Sequence, residues 1–295
     1  MNDQFLNKVI LDSYSDPLSV FKSFSNESVD CVITSPPYWG LRNYNDVKKA
    51  WNDSWRGQLG QEPTPDLYVT HLCDIFDEMK RILKPSGTCW VNIGDSYDNN
   101  ELSGVPFRFA LEMINRGWIL RNTIIWHKPK IMPSSTKDRF TVDFEYVFFF
   151  VKTLDYYFEM QYEPLCEVSI KRVEYGWHNR KGDCEGRNQP NDTEKMGKRW
   201  VNPELGRHKR CIWSIANKGY KGAHFAVFPE ELVEIPLKAG CPVNGIVIDP
   251  FFGSGTVGVV AIRLSRNFIG IDCVSDYCLM AKERIGNTEI IELKK

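Results

Sequence analysis

Gly245-Ile246-Val247-Ile248-Asp249-Pro250-Phe251-Phe252-Gly253-Ser254-Gly255-Thr256 reads as a strand, a tight turn and the start of a helix. The apolar run is continuous, as in a strand covered on both faces. An acidic residue ends it, a Gly-x-Gly turn follows, and Val257 to Leu264 continues as a helix. The next strand, Asn267 to Asp272, again ends on a carboxylate. This is how a doubly wound sheet holds a ligand at its strand carboxyl ends. The glycines allow close backbone approach, and the helix N-terminus attracts a carboxylate. The third glycine of the dinucleotide fingerprint and the Gly-Lys-Ser/Thr of a triphosphate loop are both missing. The pattern points to an adenosine-containing cofactor, with Asp249 on its amino group and Asp272 on its ribose hydroxyls. A helix cap at Asp249 and a plain loop acid at Asp272 are the alternatives.

A second strand end lies near the amino terminus. Val29-Asp30-Cys31-Val32-Ile33 runs into Thr34-Ser35-Pro36-Pro37-Tyr38-Trp39. Two prolines fix φ, remove two donors and push the residues before them out of the helical region. The expected product is a stiff, extended turn carrying Ser35, carbonyls without local partners and two exposed aromatics. Such a turn is a cradle for a flat polar ligand. An ordinary proline-rich loop is the plainer alternative.

Around these two stretches strands and helices alternate, which predicts a mostly parallel sheet covered on both faces. Lys8 to Leu11, Thr88 to Ile93, Ile119 to Trp126 and Glu145 to Lys152 read as strands. Helices are expected over Pro17 to Phe24, from Asp66 to a stop at Lys84-Pro85-Ser86-Gly87, over Pro229 to Ile235 and over Ser275 to Ile285. Another covers Phe107 to Arg116, with Phe109, Ala110 or Leu111, Met113 and Ile114 inward. Arg42 to Glu62, with Trp51 and Trp55, is long enough to be a lid or a locally disordered segment. From about Asp155 to Gly222 the rhythm fades. Residues 161–222 carry a net charge of +5, against −6 for the remainder. A basic stretch dotted with Tyr175, Trp177, Trp200, Trp213 and Tyr220 suits a polyanion-facing insertion as well as a solvated loop region. The expected organisation is a first half of the core over 1–154, an insertion over 155–222 and a second half over 223–295.

Composition agrees with a globular protein: 295 residues, 42% hydrophobic and 25% charged. No apolar run is long enough to span a bilayer, and the first residues lack signal-peptide character. Nine cysteines, odd in number and without a C-x-x-C pair, read as reduced thiols of a cytosolic protein. No metal site is expected.

Ser-Pro-Pro-Tyr at 35–38, together with Asp-Pro-Phe-x-Gly-Ser-Gly-Thr at 249–256, resembles the amino-methylating DNA methyltransferases. The resemblance spans nearly the whole chain. It implies S-adenosyl-L-methionine as cofactor, double-stranded DNA as substrate and a Rossmann-like doubly wound mixed sheet. The catalytic motif comes first, the target-recognition region next and the cofactor motif last, the permuted order of the family's β group. By this resemblance Ser35, Pro36, Pro37 and Tyr38 hold the target base. Thr34, Asp249, Pro250, Phe251, Gly253, Ser254, Gly255, Thr256 and Asp272 surround the cofactor. Val9 to Asp12 is similar to the strand whose acidic end lies near the adenine. His224 to Pro229 resembles the segment that packs on the methionine part. These two add Asp12 and Phe225. The resemblance implies a cytoplasmic protein of prokaryotic, archaeal or phage origin. It allows a cognate restriction endonuclease and a homodimer without requiring either.

The chemistry fits these roles. The lone pair of an exocyclic base amine is delocalised into the ring, so the nitrogen must be held closer to tetrahedral. Ser35 Oγ and the Pro36 carbonyl would accept its two hydrogens. Positioning then supplies much of the catalysis, and the base must leave the helix to stack on Tyr38. In the family a serine in the first position leans towards N4 of cytosine, and an aspartate towards N6 of adenine. Cytosine N4 is therefore expected first and adenine N6 second. An RNA or protein amine methyltransferase, or an inactive nucleic-acid-binding relative, stands further off. Cytosine C5 methylation is a poor fit, since its cysteine nucleophile typically sits in a Pro-Cys pair and no Pro-Cys dipeptide occurs. Trp39 reads as core or wall, Asp95 as a structural cap, Arg42 and Arg121 as surface or phosphate contacts, and His127 and Lys128 as strand-end surface residues.

Overall fold

Successive residues of the central strands point to opposite faces of one sheet, and each face has its own core. The structure, a computed structural model, describes residues 3–13, 16–43, 49–165, 170, 201–202, 205–217 and 229–294. The described residues contribute nine strands to the main sheet: β1 Lys8–Asp12, β2 Val29–Thr34, β3 Leu83–Ile93, β4 Ile119–His127, β5 Phe144–Val151, β6 Ile212–Ser214, β7 Ile246–Asp249, β8 Asn267–Asp272 and β9 Ile290–Leu293. Their order is β6-β4-β5-β3-β2-β7-β8-β1-β9. Every pair is parallel except those of β5, which runs antiparallel to both β3 and β4. The chain leaves β4 at His127 and re-enters β5 at Phe144, its partner at the same end of the sheet, which makes the pair antiparallel.

Val32, Val91, Phe148, Phe150 and Ile248 join the core under α1 (Pro65–Ile82) and α2 (Val105–Asn115). Their neighbours Cys31, Ile33, Trp90, Phe149 and Val247 join the opposite core, under α3 (Glu230–Gly240), α4 (Thr256–Arg263) and α5 (Ser275–Ile285). Trp90 and Phe149 stack across β3 and β5 with ring centroids 3.9 Å apart. Burying one such side chain is worth about 1.5–3 kcal/mol. A one-residue slip would exchange the two faces, so the register is firmly fixed. The described cysteines are all free.

Several elements differ from the expectation. Pro17 to Phe24 forms only a 3-10 turn, Ser19–Ser23, because Phe24 is already extended; Val20, Phe21 and Phe24 are still buried. Lys84 to Gly87 does not follow α1 as a turn. Leu83 enters the extended region at once, and the stretch is the first part of β3, tied to β2 by Lys84 Nζ on Asp30 Oδ1 at 2.7 Å. On α2, Leu111 and Ile114 are exposed, while Phe109, Ala110 and Met113 pack inward. Pro236 lies inside α3 and does not end it, since Leu232, Val233 and Leu237 anchor both halves to the core. Neither β6 nor β9 is expected from the sequence; both are too short to show a period.

The chain divides into two compact units, Met1–Phe158 with Cys211–Lys295, and Glu159–Arg210. The second is narrower than 155–222. Trp213 in particular is a buried residue of β6, paired with Trp126 of β4. Within Glu159–Arg210, strands Tyr162–Glu163, Gly206–His208 and Val201–Asn202 form an antiparallel sheet in that order. Glu163 Oε1 accepts from Arg207 Nε at 2.7 Å and Arg210 Nε at 2.6 Å. Tyr175, Trp177, Trp200 and Tyr220 lie outside the described residues. No helix among the described residues is long and apolar enough to cross a membrane.

Candidate active site

Adjacent strands β2 and β7 send the chain in opposite directions, β2 towards β3 and β7 towards β8. At such a switch point the carboxyl ends leave a crevice. A cavity of about 470 Å³ opens there, within the size range of small-ligand sites. It is lined by Asp249, Phe251 and Asp272 and also by Ser35, Pro36 and Tyr38. Two motifs far apart in the chain thus share one space.

On the β7 side, Asp249 Oδ1 accepts from Thr34 Oγ1 at 2.6 Å and from the Phe251 N–H at 3.0 Å. Asp272 accepts the Gly253 N–H at 2.7 Å and the Val274 N–H at 2.9 Å. Burial raises Asp249 to about 7 and Asp272 to about 6, against these donors. Asp249 does not cap α4, whose N-cap is Gly255 with no side-chain bond. Asp12, also buried, is paired with Lys49 Nζ at 2.8 Å. Pro250, Gly253, Ser254 and Thr256 line the cavity as well. The two glycines serve different ends. A side chain on Gly253, at φ +50°, would meet only the Phe251 carbonyl, at 4.0 Å. A side chain on Gly255, at φ +80°, would meet Ala281 Cβ at 2.8 Å, so that glycine serves the close packing of α5. Arg284 Nη1 holds the turn by Ser254 O and Oγ, both at 2.8 Å, and Thr256 Oγ1 at 3.1 Å. Phe225 lies outside the described residues.

These residues fit S-adenosylmethionine. Among the described residues neither Asp249 nor Asp272 has an ion-pair partner. A cationic ligand with ribose hydroxyls would offset both buried charges. Pro17, Val20, Phe21 and Ile271 add an apolar wall suited to a flat ring.

On the β2 side the turn is less open than expected. Trp39 is buried, with its indole N–H on Glu62 O at 2.9 Å, and Tyr38 is half-buried. The Pro37 carbonyl accepts from the Tyr68 hydroxyl at 2.8 Å. The Tyr38 hydroxyl donates to Glu145 Oε2 at 2.6 Å and accepts from Asn92 Nδ2 at 2.6 Å. Ser35 Oγ lies 3.4 Å from both the Tyr38 hydroxyl and Asn92 Nδ2. Lys128 is no surface residue: it forms an ion pair with Glu145 Oε1 and lies 4.5 Å from the centroid of the Trp126 ring. Burial, and then the charge of Glu145, push the Tyr38 hydroxyl well above its ordinary value and keep it a donor. Asn92, Glu145 and Lys128 are missed in the sequence reading. The available signal is an amide in the apolar run Cys89 to Ile93 and one carboxylate in the aromatic strand β5.

The described part of Arg42 to Glu62 is ordered rather than loose. Lys49–Ala50 pairs with Arg56–Gly57, and Trp51 stacks on His71 of α1 with centroids 4.0 Å apart. His71 Nδ1 lies 3.0 Å from Glu62 Oε1, and its Nε2 lies 3.2 Å from Asp53 Oδ2. Lys49, Trp51, Gln58 and Leu59 line the cavity. Asp95 accepts the Ser96, Gly104 and Val105 N–H groups at the start of α2, a structural role. Arg121 bonds the Tyr156 hydroxyl and does not line the cavity. Among the described residues no group of three or more His, Cys, Asp or Glu comes together as a metal site.

The family described as DNA methylase, of the N6/N4 type, matches residues 29–283. The chain belongs to the N6/N4 DNA methylases. Consistent with this, it is 36% identical to the Type II methyltransferase M.SmaI of Serratia marcescens over 92% of this chain and 88% of the relative. It is 32% identical to M.Cfr9I of Citrobacter freundii over 94% and 89%. The methylase is therefore an S-adenosylmethionine-dependent enzyme that methylates, site-specifically, the exocyclic amine of cytosine or adenine in DNA. Its fold is shared by the cytosine-N4-specific PvuII DNA methyltransferase, with a TM-score of 0.66 at 22% identity over 94% of this chain and 87% of that one. A putative DNA modification methylase of Thermus thermophilus, complexed with S-adenosyl-L-methionine, gives a TM-score of 0.59 at 22% identity over 97% and 98%.

Proposed function

We propose that this methylase transfers the methyl group to N4 of cytosine in duplex DNA, with Ser35, Pro36, Pro37 and Tyr38 as the base cradle. One observation carries the reading. The Ser-Pro-Pro-Tyr turn and the Asp249/Asp272 pair line the same cavity. Ser35 Oγ and the Pro36 carbonyl accept the two amine hydrogens and draw the nitrogen lone pair out of conjugation. The Tyr38 ring takes the base once it has left the stack, at a cost of a few kcal/mol. Asp249 and Asp272, with Thr34, Pro250, Phe251, Gly253 and Asp12 around them, hold the methyl donor. Bound S-adenosylmethionine supplies a methyl group activated by its positive sulfur. A serine at position 35, where an aspartate would favour adenine in this family, supports cytosine.

The unit Glu159–Arg210 is assigned target recognition: with 11 Lys and Arg against 9 Asp and Glu it is net positive, while the rest of the chain is net negative. The Type II naming of M.SmaI and M.Cfr9I supports a partner endonuclease that reads the same sequence. The β-group motif order supports a homodimer. The test is incubation with labelled S-adenosylmethionine and mixed-sequence DNA, followed by digestion and nucleoside mass spectrometry. N4-methylcytosine is expected. N6-methyladenine would overturn the assigned base, and label on RNA or protein alone would overturn the substrate.

A further inference from the structure

We propose that Glu145 is a positioning residue of the base site, holding the Tyr38 ring in the orientation that receives the flipped base. The inference rests on reading Ser35 and Tyr38 as the cradle. Tyr38 follows two prolines that stiffen the backbone, and its ring lies against Gly94, where a side chain would meet it at 2.7 Å; its remaining freedom about the side-chain bonds is set by what holds the hydroxyl end. Glu145 holds that end. Its Oε2 takes the Tyr38 hydroxyl at 2.6 Å and the Asn92 amide at 2.8 Å. Its Oε1 takes the Lys128 ammonium.

The carboxylate is largely buried, and a buried charge needs a partner. Lys128 provides it and is in turn held over the Trp126 ring. Asn92 completes the arrangement. Its two N–H groups serve the Tyr38 hydroxyl at 2.6 Å and Glu145 Oε2 at 2.8 Å, and Ser35 Oγ stands beside them at 3.4 Å. The amide therefore ties the Tyr38 hydroxyl to the carboxylate a second time. Asn92 lies on β3, Glu145 on β5, and Lys128 directly follows β4; all three line the cavity. A platform preset in this way meets the base without first losing side-chain freedom.

A double-mutant cycle tests the proposal. Glu145→Ala is expected to lower kcat/KM on DNA by about 10- to 100-fold, the worth of a hydrogen bond to a charged group. Tyr38→Phe, which keeps the ring and loses the tether, should lose a similar factor. Glu145→Ala on the Tyr38→Phe background should then cost no more than about twofold further. Glu145→Gln, which keeps an acceptor for the hydroxyl, should recover most of the rate. The paired change Glu145→Gln with Lys128→Met guards against misfolding from an unpaired lysine. Two readouts besides rate apply. S-adenosylmethionine affinity by calorimetry should be unchanged in Glu145→Ala. In a duplex carrying the methylated sequence with 2-aminopurine at the target position, emission should be brighter than with wild type, because the flipped base is no longer quenched on a fixed ring. Multiplicative losses in the double variant, or unaltered emission, would overturn the proposal. A wild-type protein that methylates no base would instead overturn the cradle reading beneath it.

Discussion

Thr34 Oγ1 lies 2.6 Å from Asp249 Oδ1, so the residue before Ser35 is bonded to the last residue of β7, 215 positions downstream. The hydroxyl donates to a carboxylate buried among apolar groups, where a hydrogen bond to charge is worth about 1.5–3 kcal/mol. Thr34→Val keeps the shape and removes the donor. The Asp249 carboxyl should then titrate above its present value of about 7. S-adenosylmethionine should bind about 10- to 100-fold more weakly near neutral pH, as read by calorimetry. Equal affinity would reduce the contact to a strand fastener.

Asp249 at about 7 and Asp272 at about 6 both stand above the ordinary value of 3.8. The folded, unliganded protein therefore holds protons that the unfolded chain has released. Its stability from these groups is fully present below about pH 4 and is lost as pH rises through 6 and 7. A cationic ligand favours the ionised pair, so affinity should rise over the same window. Thermal midpoints with and without S-adenosylmethionine, taken from about pH 5 to about pH 8, should diverge. Parallel curves would contradict the two assignments.

Asp272→Ala leaves the Gly253 and Val274 N–H groups without their acceptor and removes the proposed ribose contact. At least a tenfold rise in the dissociation constant is expected, about 1.4 kcal/mol. Unchanged binding would take Asp272 out of the cofactor site.

Ser35→Ala and Tyr38→Ala should abolish transfer while S-adenosylmethionine still binds and the circular dichroism spectrum is unchanged. Wild-type rates in both variants would end their assigned roles.

Exchange of residues 159–210 for the matching segment of a relative should change the DNA sequence that is methylated. Mapping the products on genomic DNA measures this directly. An unaltered recognition sequence would give that unit another task.

The strand ends of the site are legible in the chain because each is encoded locally. Asp249 and Asp272 follow apolar runs and precede turns, and the Pro36-Pro37 pair announces its own geometry. Asn92, Glu145 and Lys128 are not legible. They meet only because β5 runs antiparallel between β3 and β4, a pairing that leaves no mark on neighbouring residues. Lys49 reaches Asp12 from a distant hairpin for the same reason. Helix lengths fail where packing overrides local preference, as at Pro236. The narrower second unit follows from Trp213, whose burial in β6 depends on a partner strand far upstream.

β1 lies between β8 and β9, two strands far downstream of it in the chain. Its buried Val9 and Ile10 can gain their sheet neighbours only once both of those strands have been made. The sheet closes around β1 only through pairings between segments more than 200 positions apart. Refolding should be slow for that reason, since non-local pairing costs loop-closure entropy before it is rewarded.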